Sequence, residues 1–300
     1  MDLFTILMNV IMPVFGIVIL GYLLGDRLAL HAQSLTRSAY YVFVPAFIFQ
    51  AIGTSKVPLE HTAKMIFFII ATHLLAAVGA AGVGKLLGRS KEMIAAFVII
   101  AVFGNVGNYG LAVIGFRLGD AALASATLYY VAISVTAFIV SSGVAGWVRN
   151  GYSGAFGGLI KTPAIWALFP ALLVSNTDLN VPIMLSRMIG LLADAMIPVM
   201  LFSLGVQLLE QKNISFSLDV AVVSSARLVL LPILAFFVAI PFQLDHIEVS
   251  AGILQSGMPT AVMAAIVAKE YNIIPSFVTS VVLFSIVASL ISLPLIMIML

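Results

Sequence analysis

Two stretches of the chain combine residues that disfavour helix interiors with side chains able to hold a small ligand. The first is Phe103-Gly104-Asn105-Val106-Gly107-Asn108-Tyr109-Gly110, with three glycines and two asparagines inside seven residues. The second is Gln255-Ser256-Gly257-Met258-Pro259-Thr260-Ala261. Glycine and proline weaken helix interiors, and Pro259 lacks an N–H and pushes Met258 out of the α region. Both stretches predict a local unwinding, with Pro259 suited to the first turn of the helix that resumes. A helix that restarts presents free N–H groups and partial positive charge, which suit an anion. Asn105, Asn108, Gln255, Ser256 and Thr260 could add neutral hydrogen bonds. Gly107, Tyr109, Met258 and Pro259 complete the candidate substrate-binding set. The competing reading is that Gly104, Gly107 and Gly110 only let helices approach closely. Paired Asn beside Gly, matched by a Pro break in a second segment, favours a site.

The elements that must position these stretches follow from composition. The 300-residue chain is 62% hydrophobic and 9% charged, with a mean hydropathy of +1.19. An ordinary soluble domain carries roughly 25% charged residues. This excludes a secreted globular domain and a cytosolic enzyme, and a net charge of +2 is too small to imply nucleic acid as a partner. The absence of cysteine removes disulfides, thiolate catalysis and Cys-ligated metals. No metal or cofactor is expected. The N-terminus lacks the basic region of a signal peptide, so the first apolar stretch is expected to be retained.

The apolar runs are continuous rather than alternating, so the chain reads as an all-α polytopic membrane protein. Ten transmembrane helices are predicted near 3–24, 34–54, 63–87, 92–117, 120–148, 159–175, 183–209, 216–240, 247–269 and 273–299. The two breaks fall in the middle of spans four and nine. Lys and Arg counted by alternate loops divide nine to four, which puts both termini outside and the central polar stretch in the cytoplasm of a cell with an inner or plasma membrane.

The halves resemble each other at a nearly constant offset. Pro13 and Pro163 open the first span of each half, Leu35-Thr36-Arg37 matches Leu185-Ser186-Arg187, Val44–Phe49 matches Ile197–Phe202, and Asp120 matches Asn272. The offsets are 150, 150, 153 and 152. Five spans per half require the second half to enter the membrane inverted, a pattern of secondary transporters. The expected organisation is a five-helix repeat over 1–148, a cytoplasmic linker over 149–158 and an inverted repeat over 159–300.

Three ionisable residues sit at depth and are functional candidates by default. Asp194 couples a proton to substrate movement or is a paired structural acid. Arg227 compensates a substrate carboxylate or, the preferred reading, pairs with Asp194. His73 is a relay or, more commonly, a satisfied core histidine. On this reading the binding site itself contains no charge. Gly79–Leu86 has the spacing of a phosphate-binding loop, but Leu86 replaces the required Ser or Thr and no strand precedes it. Gly151-Tyr152-Ser153-Gly154 has the form of an intramembrane serine protease motif, yet it falls in the polar linker without a buried His partner. An intramembrane hydrolase is therefore the weaker alternative, and no catalytic residue is assigned.

Gly107-Asn108-Tyr109-Gly110-Leu111 and Gly257-Met258-Pro259-Thr260-Ala261, with Asp194-Ala195-Met196-Ile197-Pro198 and Ser203-Leu204-Gly205, resemble the auxin efflux carrier family of the bile acid/sodium symporter superfamily. The resemblance implies two inverted five-helix repeats. Spans 1, 2, 6 and 7 would form a scaffold, and spans 3–5 and 8–10 a moving domain. Broken helices 4 and 9 would cross and hold a carboxylate in an elevator-like cycle. The short central stretch resembles the bacterial branch, associated with malate, malonate and similar acids. Ala112 stands where many relatives carry Pro. The expectation is a transporter of small organic anions, with proton coupling, sodium coupling and uniport all open, and with a homodimer through the scaffold helices possible.

Overall fold

The computed structural model describes residues 2–55, 58–149, 163–210 and 215–300. Lys56, nearly all of the linker with Ser153, Lys161 and the start of the predicted sixth span, and Lys212 lie outside the described residues. Among those described, the chain is helical, with no strand beyond one isolated bridge. The elements are α1 (Leu3–Gly25), α2 (32–53), α3 (Leu59–Leu86), α4 (Lys91–Val102), α5 (106–118) and α6 (Asp120–Val148). After the linker come α7 (Pro163–Ser175), α8 (Ile183–Leu209), α9 (Leu218–Phe242), α10 (His246–Ser256), α11 (Val262–Glu270) and α12 (Pro275–Met299). Helices α1, α3, α6, α8, α9 and α12 are long and apolar enough to cross a membrane. The stretch resembling a phosphate-binding loop is the end of α3, an uninterrupted helix.

Large apolar side chains face outward along these helices. Phe67, Leu191 and Ile291 are 64%, 75% and 71% exposed. Water would penalise so much apolar surface, whereas lipid accepts it. The chain is a multi-pass membrane protein.

Three helices widen by one residue just before a proline. Met12 N–H bonds to Leu7 O, Val44 N–H to Ala39 O and Leu231 N–H to Ala226 O, each reaching five residues back. Pro13, Pro45 and Pro232 follow directly. A proline ring collides with the preceding turn of an α-helix, and a π-type turn gives it room without ending the helix. Pro13 therefore lies inside α1 and does not open it, contrary to the reading from sequence offsets.

The helices associate by close approach of small residues. Helix α1 packs along α8, α2 packs on α7 and α8, α3 lies against α4 and α6, and α9 contacts α3, α10 and α12. At the α1–α8 crossing a Cβ on Gly21 would meet the Phe202 carbonyl. One on Gly205 would meet the Val18 carbonyl and lie 2.6 Å from Tyr22 N.

Helix α10 begins with a reciprocal cap. The Asp245 side chain accepts from the backbone at Glu248, and Glu248 Oε2 accepts from Asp245 N at 2.8 Å. His61 Nδ1 lies 3.3 Å from Glu248 Oε1 and 3.8 Å from Asp245 Oδ2, tying α3 to this corner. Glu248→Ala removes both functions of a buried carboxylate. It should cost about 1 kcal/mol or somewhat more, seen as a lower unfolding temperature. Faster amide exchange confined to the first turn of α10 would accompany it, and unchanged exchange there would contradict the capping role.

Candidate functional site

The predicted fourth span is two helices, α4 and α5, and the predicted ninth is α10 and α11. The chain leaves α4 at Phe103 and resumes helical turns at Val106, where Gly110 N–H reaches back to Asn105 O at 2.9 Å. It leaves α10 at Gly257 and resumes at Val262. Pro259 thus lies in the extended break, not in the first turn of the next helix. Its lack of a donor costs nothing there, because its carbonyl carries the pairing.

The two breaks are bound to each other. Gly104 and Thr260 face one another in an antiparallel bridge. Asn105 N–H donates to Pro259 O at 2.7 Å, and Ala261 N–H donates to Phe103 O at 3.0 Å. Thr260 N–H, directed away from the bridge, is taken by Ser285 Oγ of α12 at 3.0 Å. These bonds satisfy backbone groups that would otherwise stand unpaired in a low-dielectric interior.

Each glycine of the first break makes room for a side chain from another helix. A Cβ on Gly104 would fall on the Arg227 guanidinium. One on Gly107 would lie 2.7 Å from the Tyr130 ring, and one on Gly110 would fall on Gln255 Oε1. The glycines are close-approach positions, but the groups they admit are polar. Packing and a site are therefore not competing explanations here.

A cavity of about 120 Å³ lies against the crossover. Its walls include Gly104–Asn108, from the start of α5, and Ala261, Val262 and Met263, from the start of α11. Opposite them stand Thr36 and Tyr40 of α2, Met200 and Gln207 of α8, and Tyr130 and Ser134 of α6. Gln207 Nε2 donates to Thr36 Oγ1 at 2.8 Å, and Thr36 Oγ1 lies 3.1 Å from Ser203 Oγ. Asn105 is buried, and its Nδ2 has no protein partner. The chemistry on offer is two helix N-termini, two asparagine amides and several hydroxyls around a small space.

Of the residues singled out from sequence, Asn105, Gly107 and Asn108 line this cavity. Tyr109 is buried and meets Phe15 of α1 edge-on at 5.7 Å. Gln255, Ser256, Met258, Pro259 and Thr260 are buried within the crossover and are not part of the cavity wall. Gln255 Nε2 donates to the carbonyls of Val106 and Ala126 at 3.4 and 3.3 Å, holding α10 to α5 and α6. Ser256 Oγ donates to Ile253 O. Nothing in the sequence marks Thr36, Tyr40, Tyr130, Ser134 and Gln207 as lining residues. Each is an ordinary polar residue on an apolar helix, brought to the cavity only by packing across distant parts of the chain.

The charged residues require the largest correction. Asp194 is exposed on α8 and makes no ion pair with Arg227. Arg227 is buried, in the widened turn of α9. Its Nε donates to Met258 O at 3.1 Å and its Nη1 to Ala101 O at 2.5 Å, while Nη2 has no partner. The crossover therefore does contain a charge. Arg227 does not line the 120 Å³ cavity. It lines a second, larger and mostly apolar one, about 360 Å³, between α3, α4 and α9. His73 is also buried: its Nδ1 lies 3.0 Å from Ile69 O and its Nε2 lies 3.4 Å from Tyr129 OH. This pattern suits a neutral ring with its proton on Nδ1 and the tyrosine donating to Nε2. Both ring nitrogens of His73 thus have a partner within the protein. Arg117, at the end of α5, donates to Met297 O at 2.8 Å and caps α12.

The sequence pattern of a family described as "Membrane transport protein" matches residues 6–150 and 154–297. A protein of Rhizobium meliloti (strain 1021) named "Putative malonate transporter" is 25% identical over 288 residues, covering 88% of this chain and 87% of its own. The "Uncharacterized transporter YfdV" of Escherichia coli (strain K12) is 23% identical over 312 residues, covering 97% and 96%. The "Auxin efflux carrier component 8" of Arabidopsis thaliana is 32% identical over 113 residues, 37% of this chain and 31% of its own. With the family pattern running through both broken segments and nearly the whole length, the chain belongs to the membrane transport protein family, whose relatives include the auxin efflux carriers.

Proposed function

We propose that the protein is a secondary transporter of small organic anions, malonate-like dicarboxylates first among them, binding at the crossing of its two broken spans. The observation that carries this reading is the cavity walled by the starts of α5 and α11, with the unpartnered Asn105 amide in that wall. Two helix N-termini favour a carboxylate there, and the asparagine amides select its hydrogen-bonding edge. The name of the Rhizobium relative supports malonate as the first acid to try.

The same proposal includes ten crossings in two inverted repeats, with both termini outside. The shorter pairs α4–α5 and α10–α11 each make one broken crossing, and α2 and α7 complete the set. Helices α1, α2, α7 and α8 act as a scaffold, possessing its own close packing at Gly21 and Gly205. The remaining helices move as a body that carries the crossover past Thr36, Tyr40 and Gln207. A cavity shared by both groups is what an elevator requires at one end of its stroke. A homodimer through the scaffold belongs to the same scheme.

The test is binding and uptake of malonate in proteoliposomes by the parent and by Asn105→Ala and Asn108→Ala. A lost hydrogen bond to a charged ligand is worth about 1.5–3 kcal/mol, so affinity should fall roughly 10- to 100-fold. Asn105→Ala should leave the unfolding temperature unchanged, because its Nδ2 bonds nothing in the protein. If both variants bind and transport a panel of mono- and dicarboxylates as the parent does, the site assignment is wrong.

A further inference from the structure

We propose that Arg227 is a tethered cation that stands permanently where a coupling cation would otherwise bind, and that it holds the crossover together from outside the substrate cavity. The proposal rests on the crossover being the transport site, and it concerns what compensates that site's other pole.

The crossover has two electrical faces. The starts of α5 and α11 line the substrate cavity, which also touches the end of α4 at Val102 and Phe103, while Arg227, outside that cavity, bonds carbonyls at the ends of α4 and α10. Ala101, whose carbonyl accepts from Nη1, is the last residue but one of α4. Met258, whose carbonyl accepts from Nε, lies just beyond the end of α10. Carbonyls at a helix C-terminus have no partner within the helix, and each such end carries about half an elementary negative charge. Two ends together carry about one, which a single monovalent cation cancels. Unwound carbonyls and half-helix C-termini are where broken-helix transporters hold coupling ions. Here the guanidinium fills that role with a planar fork that bonds both ends at once.

Three further features fit a tethered cation and not a substrate ligand or an ion pair. Among the described residues no carboxylate lies within ion-pair distance of Arg227. Its neighbours His73 and Tyr129 supply no negative charge, since the ring is bonded as the neutral form and the phenol donates to it. Gly104 lies at the bridge itself, and a side chain there would displace the guanidinium. A buried arginine without an acid is costly in a membrane unless backbone carbonyls compensate it. Here they do.

Arg227 acts through the crossover and is a positioning residue. Its role is tested with Arg227→Ala, Arg227→Met and Arg227→Lys proteins, read by thermal unfolding in detergent and by malonate uptake. Low millimolar guanidinium chloride should raise the unfolding temperature of Arg227→Ala and leave the parent's unchanged. It should also restore at least a tenth of parental uptake. Arg227→Lys should retain more uptake than Arg227→Met, which keeps the bulk but not the charge. If Arg227→Ala does not fold, the parent still decides, because its uptake should stay within twofold when all sodium is replaced by N-methyl-D-glucamine. Equal behaviour of the Met variant and the parent, no specific effect of guanidinium, or a steep loss of parental uptake without sodium would each overturn the proposal. If no organic acid is transported at all, the thermal readout still judges Arg227 separately from the transport assignment.

Discussion

A Gly205→Leu protein is expected not to assemble. At this position α8 and α1 meet backbone to backbone, and a Cβ would coincide with the Val18 carbonyl and press on Tyr22 N. A flexible side chain in the way could rotate aside, but the main chain of α1 can yield only by moving the helix. The penalty should therefore exceed the roughly 1–3 kcal/mol usual for overpacking a core. Membrane helices gain little from excluding apolar surface, so close contact is much of what holds this pair together. The measurement is size-exclusion chromatography of a fluorescent fusion in mild detergent, where the monodisperse peak should be lost. Gly16→Leu on α1, the other helix of the pair, is the control, since a Cβ there meets nothing within 4 Å. A sharp Gly205→Leu peak at parental level would show that this crossing does not hold the helices together.

Gly107→Val is expected to have the opposite profile, folding but failing to transport. Its Cβ would lie 2.7 Å from the Tyr130 ring, and both residues line the cavity. The added carbons can push the ring or fill the space themselves. In either case a cavity of about 120 Å³ loses room for a ligand. An overpacking cost of about 1–3 kcal/mol imposed on the bound state lowers affinity by roughly 10- to 100-fold. Uptake should fall accordingly, while the protein still folds, with a single cooperative transition at a somewhat lower unfolding temperature. Adding Tyr130→Ala to Gly107→Val should recover part of the uptake by removing the ring that is struck. Parental uptake in Gly107→Val would place the substrate elsewhere.

Much of this fold is legible in the sequence because its causes are local. Continuous apolar runs place α3, α6, α8 and α12 within a few residues of their observed ends. Gly104, Gly107 and Gly110 beside Asn105 and Asn108, and Pro259 in the other segment, mark both interruptions, since those residue types weaken a helix wherever they occur. What escaped depends on distance along the chain. That the breaks pair with each other through Asn105 and Pro259 requires residues 154 positions apart to meet. The sequence suggests Arg227 as a partner for Asp194 because both are charged within apolar runs. An arginine can equally be satisfied by carbonyls, and carbonyls leave no trace in a sequence. Thr36 and Gln207 reach the cavity from helices whose spacing says only that they are apolar. In the sequence Gln255 and Thr260 stand as candidate ligand groups, because polar residues at depth usually serve a site. In the structure they are buried within the crossover, where Gln255 ties its helix to Val106 and Ala126.

The widened turn at Ala226–Leu230 has a consequence for how the buried cation is aimed. Successive residues of an α-helix are separated by about 100° around its axis. A turn that closes five residues back instead of four carries one residue more and takes it up by winding less per residue, so the change in direction falls on the residues of the turn itself. Deleting one residue from 226–230 outside Arg227 would restore ordinary winding. The same deletion would leave the two parts of α9 close to their present directions, but it would remove the room that the wide turn gives the Pro232 ring. Arg227 belongs to that turn, so the change would fall on the residue whose bonds reach Ala101 and Met258 and not on the rest of α9. Its position is thus specified as an angle as much as a residue type, and the proline that demands the wide turn helps to set that angle.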